Sequence, residues 1–301
     1  DKTLTVSNTL SDADGLGTIS YQWNRSGSVI DDATSSTYIL TQADVGSTIT
    51  VTASYTDGQG TAESVTSSET LAVAYVKLDK DKASQLIAQQ GSDVVIPDGV
   101  TTIGDWAFEE NQLTSVVIPD GVKTIGEGAF YNNQLSSVDI PDSVNAIGYD
   151  AFRGNLLTSI VIPEGITDIG AGAFEDNLLT SVDIPNSITT IGGGLFKANR
   201  LTSIVIPDGV TSIGDYAFEG NLLASVDIPE GVTNIESGAF AHNQLTSVII
   251  PDSVTTIGTD AFKGNPLATV SISTRSVFDP SIFPDNVHII ARDEIVKSVL
   301  D

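Results

Sequence analysis

Residues 94–115 read VVIPDGVTTIGDWAFEENQLTS, and residues 116–137 read VVIPDGVKTIGEGAFYNNQLSS. The same 22-residue unit runs without a gap to Thr269, eight copies in all, and a ninth, partial copy begins at Val270. A unit this short cannot bury a core by itself, so gap-free repetition means that each copy stacks on its neighbours. The sequence therefore predicts a solenoid over 94–269. Function must then be sought in columns of residues that run along the stack.

Each copy holds an L-x-x-V/I-x-I-P stretch, as at Leu113, Val116, Ile118 and Pro119. The alternation makes a short strand with Val116 and Ile118 pointing inward. Proline ends it, having no N–H to give to a ladder. A second extended piece, VTTIG at 100–104, follows, and then a one- or two-turn helix is expected at DWAF, 105–108. Phenylalanine returns at 108, 130, 152, 174, 196, 218, 240 and 262, which predicts a continuous aromatic column in the core. Asparagine returns at 111, 133, 155, 177, 199, 221, 243 and 265, where a stacked amide can satisfy loop backbone groups.

Working outward, residues 1–74 follow a different grammar. ISYQW, TYILT, STITVTASYT and TAESVTSSETLAV alternate apolar and polar residues with period two, and DADGLG, RSGS, ADVG and TDGQG supply turns between them. This predicts an antiparallel β-sandwich with Trp23 between its sheets and a corner at Asp44 and Gly46. Residues 75–93 break both patterns. Ala83, Leu86 and Ile87 share a helical face and Gly91 is a stop signal, so a linker and an N-terminal capping helix are expected there. In the C-terminal cap, 270–301, Asp279-Pro280 should open a short helix and VHII, 287–290, should form a last strand. The fold class is mainly β: a sandwich at 1–74, then a solenoid of eight repeats plus caps.

The formal net charge is −26. Residues 1–74 carry nine acids against two bases, and residues 93–301 carry 28 against eight. That field repels nucleic acid and anionic membranes and attracts cations. With no cysteine, disulfides and thiol chemistry are excluded. No apolar run reaches membrane length, so no membrane insertion is expected in this segment. Histidine occurs only at 242 and 288, and no nucleophile elbow, phosphate-binding loop or zinc-protease motif is present, so the chain is not expected to be an enzyme.

The repeat skeleton IP…V…IG…AF…N…L resembles the BspA-like class of leucine-rich repeats over 94–290. That class usually has cysteine where this chain has asparagine, a change within a buried ladder that leaves the topology alone. The resemblance implies a bacterial or protist surface protein that binds host or neighbouring-cell proteins, with no catalytic residue attached to the fold. The stretch from Ser11 to Ser67 resembles the tandem immunoglobulin-like stalk repeats of giant bacterial surface adhesins of the RTX type, which implies an extended stalk, often rigidified by calcium. The abrupt strand-like start at Asp1 reads as a piece of something longer.

Several columns could carry function. The outward residues of the first strand give a serine column from Ser115 to Ser247 and, beside it, Val95, Val117, Asp139, Val161, Asp183, Val205, Asp227 and Ile249. Apolar residues would grip and the acids orient an extended polypeptide or glycan. This makes Val117, Asp139, Val161, Asp183, Val205 and Asp227 the candidate ligand-binding set. The edge that varies most carries Trp106, Tyr149, Arg153 and Tyr216, types favoured in binding hot spots, as the alternative set. In the sandwich, Asp12-x-Asp14-Gly15 and Asp57-Gly58 place carboxylates on turns, and Asp12, Asp14 and Asp57 are the candidate calcium ligands.

The function expected is that of the ligand-binding segment of a large exported bacterial adhesin, at the cell surface. The segment should be monomeric and recognise a protein or glycan on another cell through the solenoid. A structural spacer within the stalk is the alternative. An ice-binding surface is the second: Thr114, Thr158, Thr180, Thr202 and Thr246 flank the serines, although Ala224 and Ala268 interrupt them.

Overall fold

The structure is a computed structural model and describes residues 2–13, 15–44, 46–73, 77–272, 282–283 and 287–291. It divides into two compact units, Asp1–Val76 with Pro97–Val100 and Lys77–Ile96 with Thr101–Asp301.

The first unit is built from β1 (Thr3–Thr5), β2 (Ser20–Arg25), β3 (Ser28–Val29), β4 (Thr37–Ile39), β5 (Ile49–Thr56) and β6 (Ala62–Thr66). β1 pairs antiparallel with β4, and a second antiparallel sheet has the order β3-β2-β5-β6. The two sheets meet where the Trp23 ring of β2 stacks on the Tyr38 ring of β4, with centroids 5.6 Å apart. Trp23 is buried, and its indole N–H donates to the Ser35 carbonyl at 2.9 Å. At the expected corner Asp44 is fully buried. Its carboxylate accepts from the Arg25 Nε at 2.7 Å, the Tyr38 hydroxyl at 3.0 Å, and the Thr41 N–H and hydroxyl at 2.6 and 2.9 Å. Burial pushes the Asp44 carboxyl up, but these donors, led by the Thr41 N–H and Arg25, outweigh it and hold the group below the usual aspartate value.

In the second unit, α1 (Lys80–Gln90) is the one α-helix among the described residues. The Asp79 side chain caps it by accepting from the Lys82 N–H, Gly91 ends it with a φ of 75°, and Ala83 and Leu86 are buried. The solenoid then stacks parallel rungs. Thr102–Ile103, Thr124–Ile125, Ala146–Ile147 and Asp168–Ile169 form one ladder, and Thr190–Ile191, Ser212–Ile213, Asn234–Ile235 and Thr256–Ile257 form another. Between Ile169 and Ile191 the ladder is interrupted.

The core is columnar. All eight phenylalanines are fully buried and stack nearly parallel, with centroids 5.2–5.8 Å apart. Phe283 stacks on Phe262 with centroids 5.8 Å apart. The asparagine amides tie unit to unit. Asn155 accepts from the Leu135 N–H at 3.1 Å and donates to the carbonyls of Phe130 and Phe152 at 2.9 and 3.0 Å. The same pattern repeats up the stack to Asn265. His288–Ala291 pairs in parallel with Thr269–Ile272, whereas the helix expected to open at Asp279-Pro280 lies outside the described residues.

The helix expected at DWAF is not formed. Residues 105–110 make turns, and alternate amides leave the unit altogether: the N–H groups of Trp106, Phe108 and Glu110 donate to the carbonyls of Glu127, Ala129 and Tyr131 at 2.7–2.9 Å. An α-helix would need those donors for its own chain. Two positions per unit also sit in the left-handed region. One is the column Trp106, Gly128, Asp150, Gly172, Gly194, Tyr216, Gly238 and Asp260; the other runs from Glu110 through Asn132, Gly154, Asp176 and Ala198 to Gly264. Left-handed residues cannot continue a right-handed helix.

Candidate functional site

The first candidate surface is the outward face of the first strand. Val161 and Val205 are 78% and 77% exposed, and Val95, Val117 and Ile249 are more than half exposed. Asp139, Asp183 and Asp227 are exposed between them, beside the exposed serine column. Strand register aligns much of the column: Val95 pairs with Val117, Val161 with Asp183, Asp183 with Val205, and Val205 with Asp227. Rungs about 4.8 Å apart put an apolar side chain between successive carboxylates, which therefore stand about 10 Å from one another and escape direct repulsion. The surface offers alternating apolar and acceptor sites to an elongated ligand.

The second candidate surface is the turn edge. Trp106 is half-buried there. Its indole lies flat over Gly128, where a Cβ would come within 2.1 Å of the ring, and makes an edge contact with Tyr131 at 5.9 Å. Tyr216 covers Gly238 in the same way. Each of these rings thus stands one unit before a glycine, a 22-residue pairing that is visible in the sequence but is easily read as turn chemistry alone. Tyr149 is 61% and Tyr216 45% exposed. Arg153 is committed to ion pairs: 3.2 Å to Glu175 and 3.6 Å to each of Asp150 and Asp176.

Tyr149 and Tyr216 flank an open depression of about 340 Å³, while Trp106 stands apart from it. Its floor holds Glu175, which the sequence reading did not single out, with only 12% of the side chain exposed. Burial raises the Glu175 carboxyl above the usual glutamate value, and Arg153 pulls it partly back. Lys197 Nζ lies 2.9 Å from Glu219 and 5.1 Å from the Tyr216 ring centroid.

The first unit has its own acidic cluster. Asp12, Asp57 and Glu63 each place a carboxylate oxygen within 4.8 Å of the others, a spacing that could hold a metal ion. Asp14, the other ligand expected here, lies outside the described residues. Asp57 is fixed by its own turn, accepting from the N–H groups of Thr61 and Gln59 at 2.7 and 2.9 Å, bonds that hold its carboxyl below the usual value. Glu63 arrives through strand register, directly opposite Tyr55, whose hydroxyl donates to it at 2.5 Å. The carboxylate bond pushes the Tyr55 phenol up to about 12. Three carboxylates suit a hard cation, though calcium asks for six to eight oxygens in all.

A family model described as a BspA type leucine rich repeat region, with six copies, matches residues 88–202 and 167–289. The chain belongs to the BspA-type leucine-rich-repeat family. A leucine-rich repeat protein from Bacteroides ovatus is similar at 29% identity and a TM-score of 0.54, over 73% of this chain and 57% of that one. The BspA-type chain thus spans little more than half the length of that relative. The pneumococcal vaccine antigen PcpA is similar at 18% identity and a TM-score of 0.43, over 69% of this chain and 76% of that one. A leucine rich cell surface protein from Faecalibacterium prausnitzii is similar at 22% identity and a TM-score of 0.43, over 80% of this chain and 92% of that one. No curated protein matches. No helix among the described residues is long and apolar enough to cross a membrane.

Proposed function

We propose that this BspA-type chain is the ligand-binding segment of a bacterial cell-surface adhesin, and that the ladder face of the solenoid recognises a protein or glycan on another cell. One observation carries the reading: a column of exposed valines and isoleucine, broken at regular intervals by exposed aspartates. Folding does not need apolar side chains in water, and exposed apolar residues lined up in one column favour an interaction surface over the same residues scattered singly. Family membership and relatives named as a cell surface protein and an antigen support an extracellular address. Residues 1–74 are proposed as an immunoglobulin-like stalk module, in which calcium across Asp12, Asp57 and Glu63 would stiffen the turns. No catalytic role is proposed: the two histidines, His242 and His288, lie 46 residues apart, in different rungs of the stack.

The test begins with a screen of the full chain against glycans and surface-protein peptides. Val161→Glu combined with Asp183→Lys should abolish binding of the best hit while leaving the melting curve nearly unchanged, because both side chains are exposed. Retained affinity would remove the ladder face as the site, and a blank across the whole screen would favour a spacer.

A further inference from the structure

We propose that the depression between Tyr149 and Tyr216 is a separate binding site, and that it takes a neutral saccharide chain. The site exists because two consecutive units omit side chains that the others possess. At the left-handed position the residues are Gly172 and Gly194, with φ of 68° and 62°, and backbone geometry explains them. The position just before them does not require a positive φ. Other units place Asp105, Glu127, Tyr149, Asp215, Ser237 and Thr259 there, yet these two place Ala171 and Gly193. The edge is therefore lowered over two units and rises again at both ends in a tyrosine. Tyr149 and Tyr216 stand three rungs apart, about 15 Å at ladder spacing, which leaves room for more than one pyranose ring between them. The interruption of the neighbouring ladder, between Ile169 and Ile191, falls at the middle of this span.

The lining groups select the chemistry. Asp150, Glu175 and Asp215 accept hydrogen bonds and Lys197 donates them. The Glu175 Oε1 is held by Arg153, while Oε2 lies over the glycine floor, within 3.5 Å of where a Cβ on Gly172 or Gly194 would stand. A sugar hydroxyl is both donor and acceptor, so it answers acceptors and a donor in one trough. The exposed Tyr149 ring offers a flat apolar face to the C–H face of a sugar ring, while Tyr216, laid over Gly238 with Lys197 Nζ over its ring, forms the far wall, as in concave sites with a few convergent polar groups. Asp150, Glu175 and Asp215 outnumber Lys197 and the neighbouring Arg153, which disfavours sulfated, phosphorylated or uronic sugars. This site is independent of the ladder face proposed above, which lies on another side of each unit.

The experiment measures binding of neutral hexose and N-acetylhexosamine oligosaccharides, with acidic oligosaccharides and a lysine-rich peptide as comparisons, to the full chain by calorimetry. Ala171→Tyr fills the trough without changing charge, at a backbone position that any residue can adopt. It should weaken binding by about tenfold or more, and Tyr149→Ala should do the same by removing one ring platform. The Val161→Glu, Asp183→Lys double variant should bind the same sugar as the parent does, which separates this inference from the ladder reading. Melting temperatures of the variants verify that they fold. The proposal is overturned if no neutral saccharide binds, if Ala171→Tyr binds as tightly as the parent, or if acidic sugars bind better. It is also overturned if the lysine-rich peptide proves to be the ligand that Ala171→Tyr blocks.

Discussion

The two units bury polar groups in opposite ways. In the solenoid the buried polar side chains are neutral amides, Asn133 through Asn265, each shared between consecutive units. Among the described residues of the N-terminal unit the buried polar group is a single charge, Asp44, held by four donors from Arg25, Tyr38 and Thr41. Repetition spreads the solenoid's dependence over columns with many equivalent members. The N-terminal unit concentrates its dependence in one cluster and one tryptophan. The first arrangement tolerates change at any one rung better than at the level of the column, and does not titrate; the second is vulnerable at a point, and does.

The largest effect should come from the aromatic column. Phe174→Ala, with a ring stacked on either side, should cost about 3–5 kcal/mol in denaturant melts, whereas Phe108→Ala, at the first rung and stacked on Phe130, should cost less. Equal costs would mean that stacking between units is not what holds the column.

Next is the charged cluster. Asp44→Asn should cost about 2–4 kcal/mol, the range for breaking a buried pair, lowered because Arg25 keeps some exposure. The pH dependence sharpens this. Asp44 titrates below its ordinary value of 3.8 in the folded state, so its contribution is complete above that value and drains away as pH falls through the folded pKa. Glu175 is raised instead, so acid removes a destabilising charge from the solenoid. Trp23 and Trp106 report the two units separately, and Trp106→Phe leaves the N-terminal reporter alone. Acid melts should show the Trp23 transition failing first; the reverse order would break the comparison.

Calcium comes third. Millimolar calcium over a site of ~10⁻⁴ M should stabilise the N-terminal unit by about 1–2 kcal/mol, read from Trp23 in Trp106→Phe with calcium and then with chelator. No shift, or an equal shift at Trp106 in the parent, would leave Asp12, Asp57 and Glu63 as ordinary turn and hairpin residues. The smallest effect has an unusual sign. Ala198→Gly should stabilise the solenoid by about 1 kcal/mol, because Ala198 has a φ of 54° and an L-residue there is strained.

The inward columns could be read from the sequence because burial imposes one residue type at a fixed period: Phe108 and its seven successors stack ring on ring from unit to unit. The helix at DWAF was misread because its defining feature is handedness. Tryptophan, aspartate, tyrosine and glycine all occupy the same left-handed position, so no single residue type announces it. Glu63 was missed because it reaches Asp57 through hairpin register and carries no turn signal of its own. The Tyr149–Tyr216 trough escaped for a different reason. Side chains that are present leave a mark in a sequence, whereas this site is shaped by the ones missing at Ala171 and Gly193.

The interrupted ladder gives the solenoid a mechanical character. A pull along its axis is resisted at most junctions by ladder rungs as well as by columns. At the junction of Ile169 and Ile191 it falls on the Val161–Asp183 bridge, the Asn199 amide, the Phe174–Phe196 stack and turn bonds such as Gly172 N–H to Gly193 C=O. An axial pull is therefore expected to open the array first at that joint, parting it into two four-rung halves.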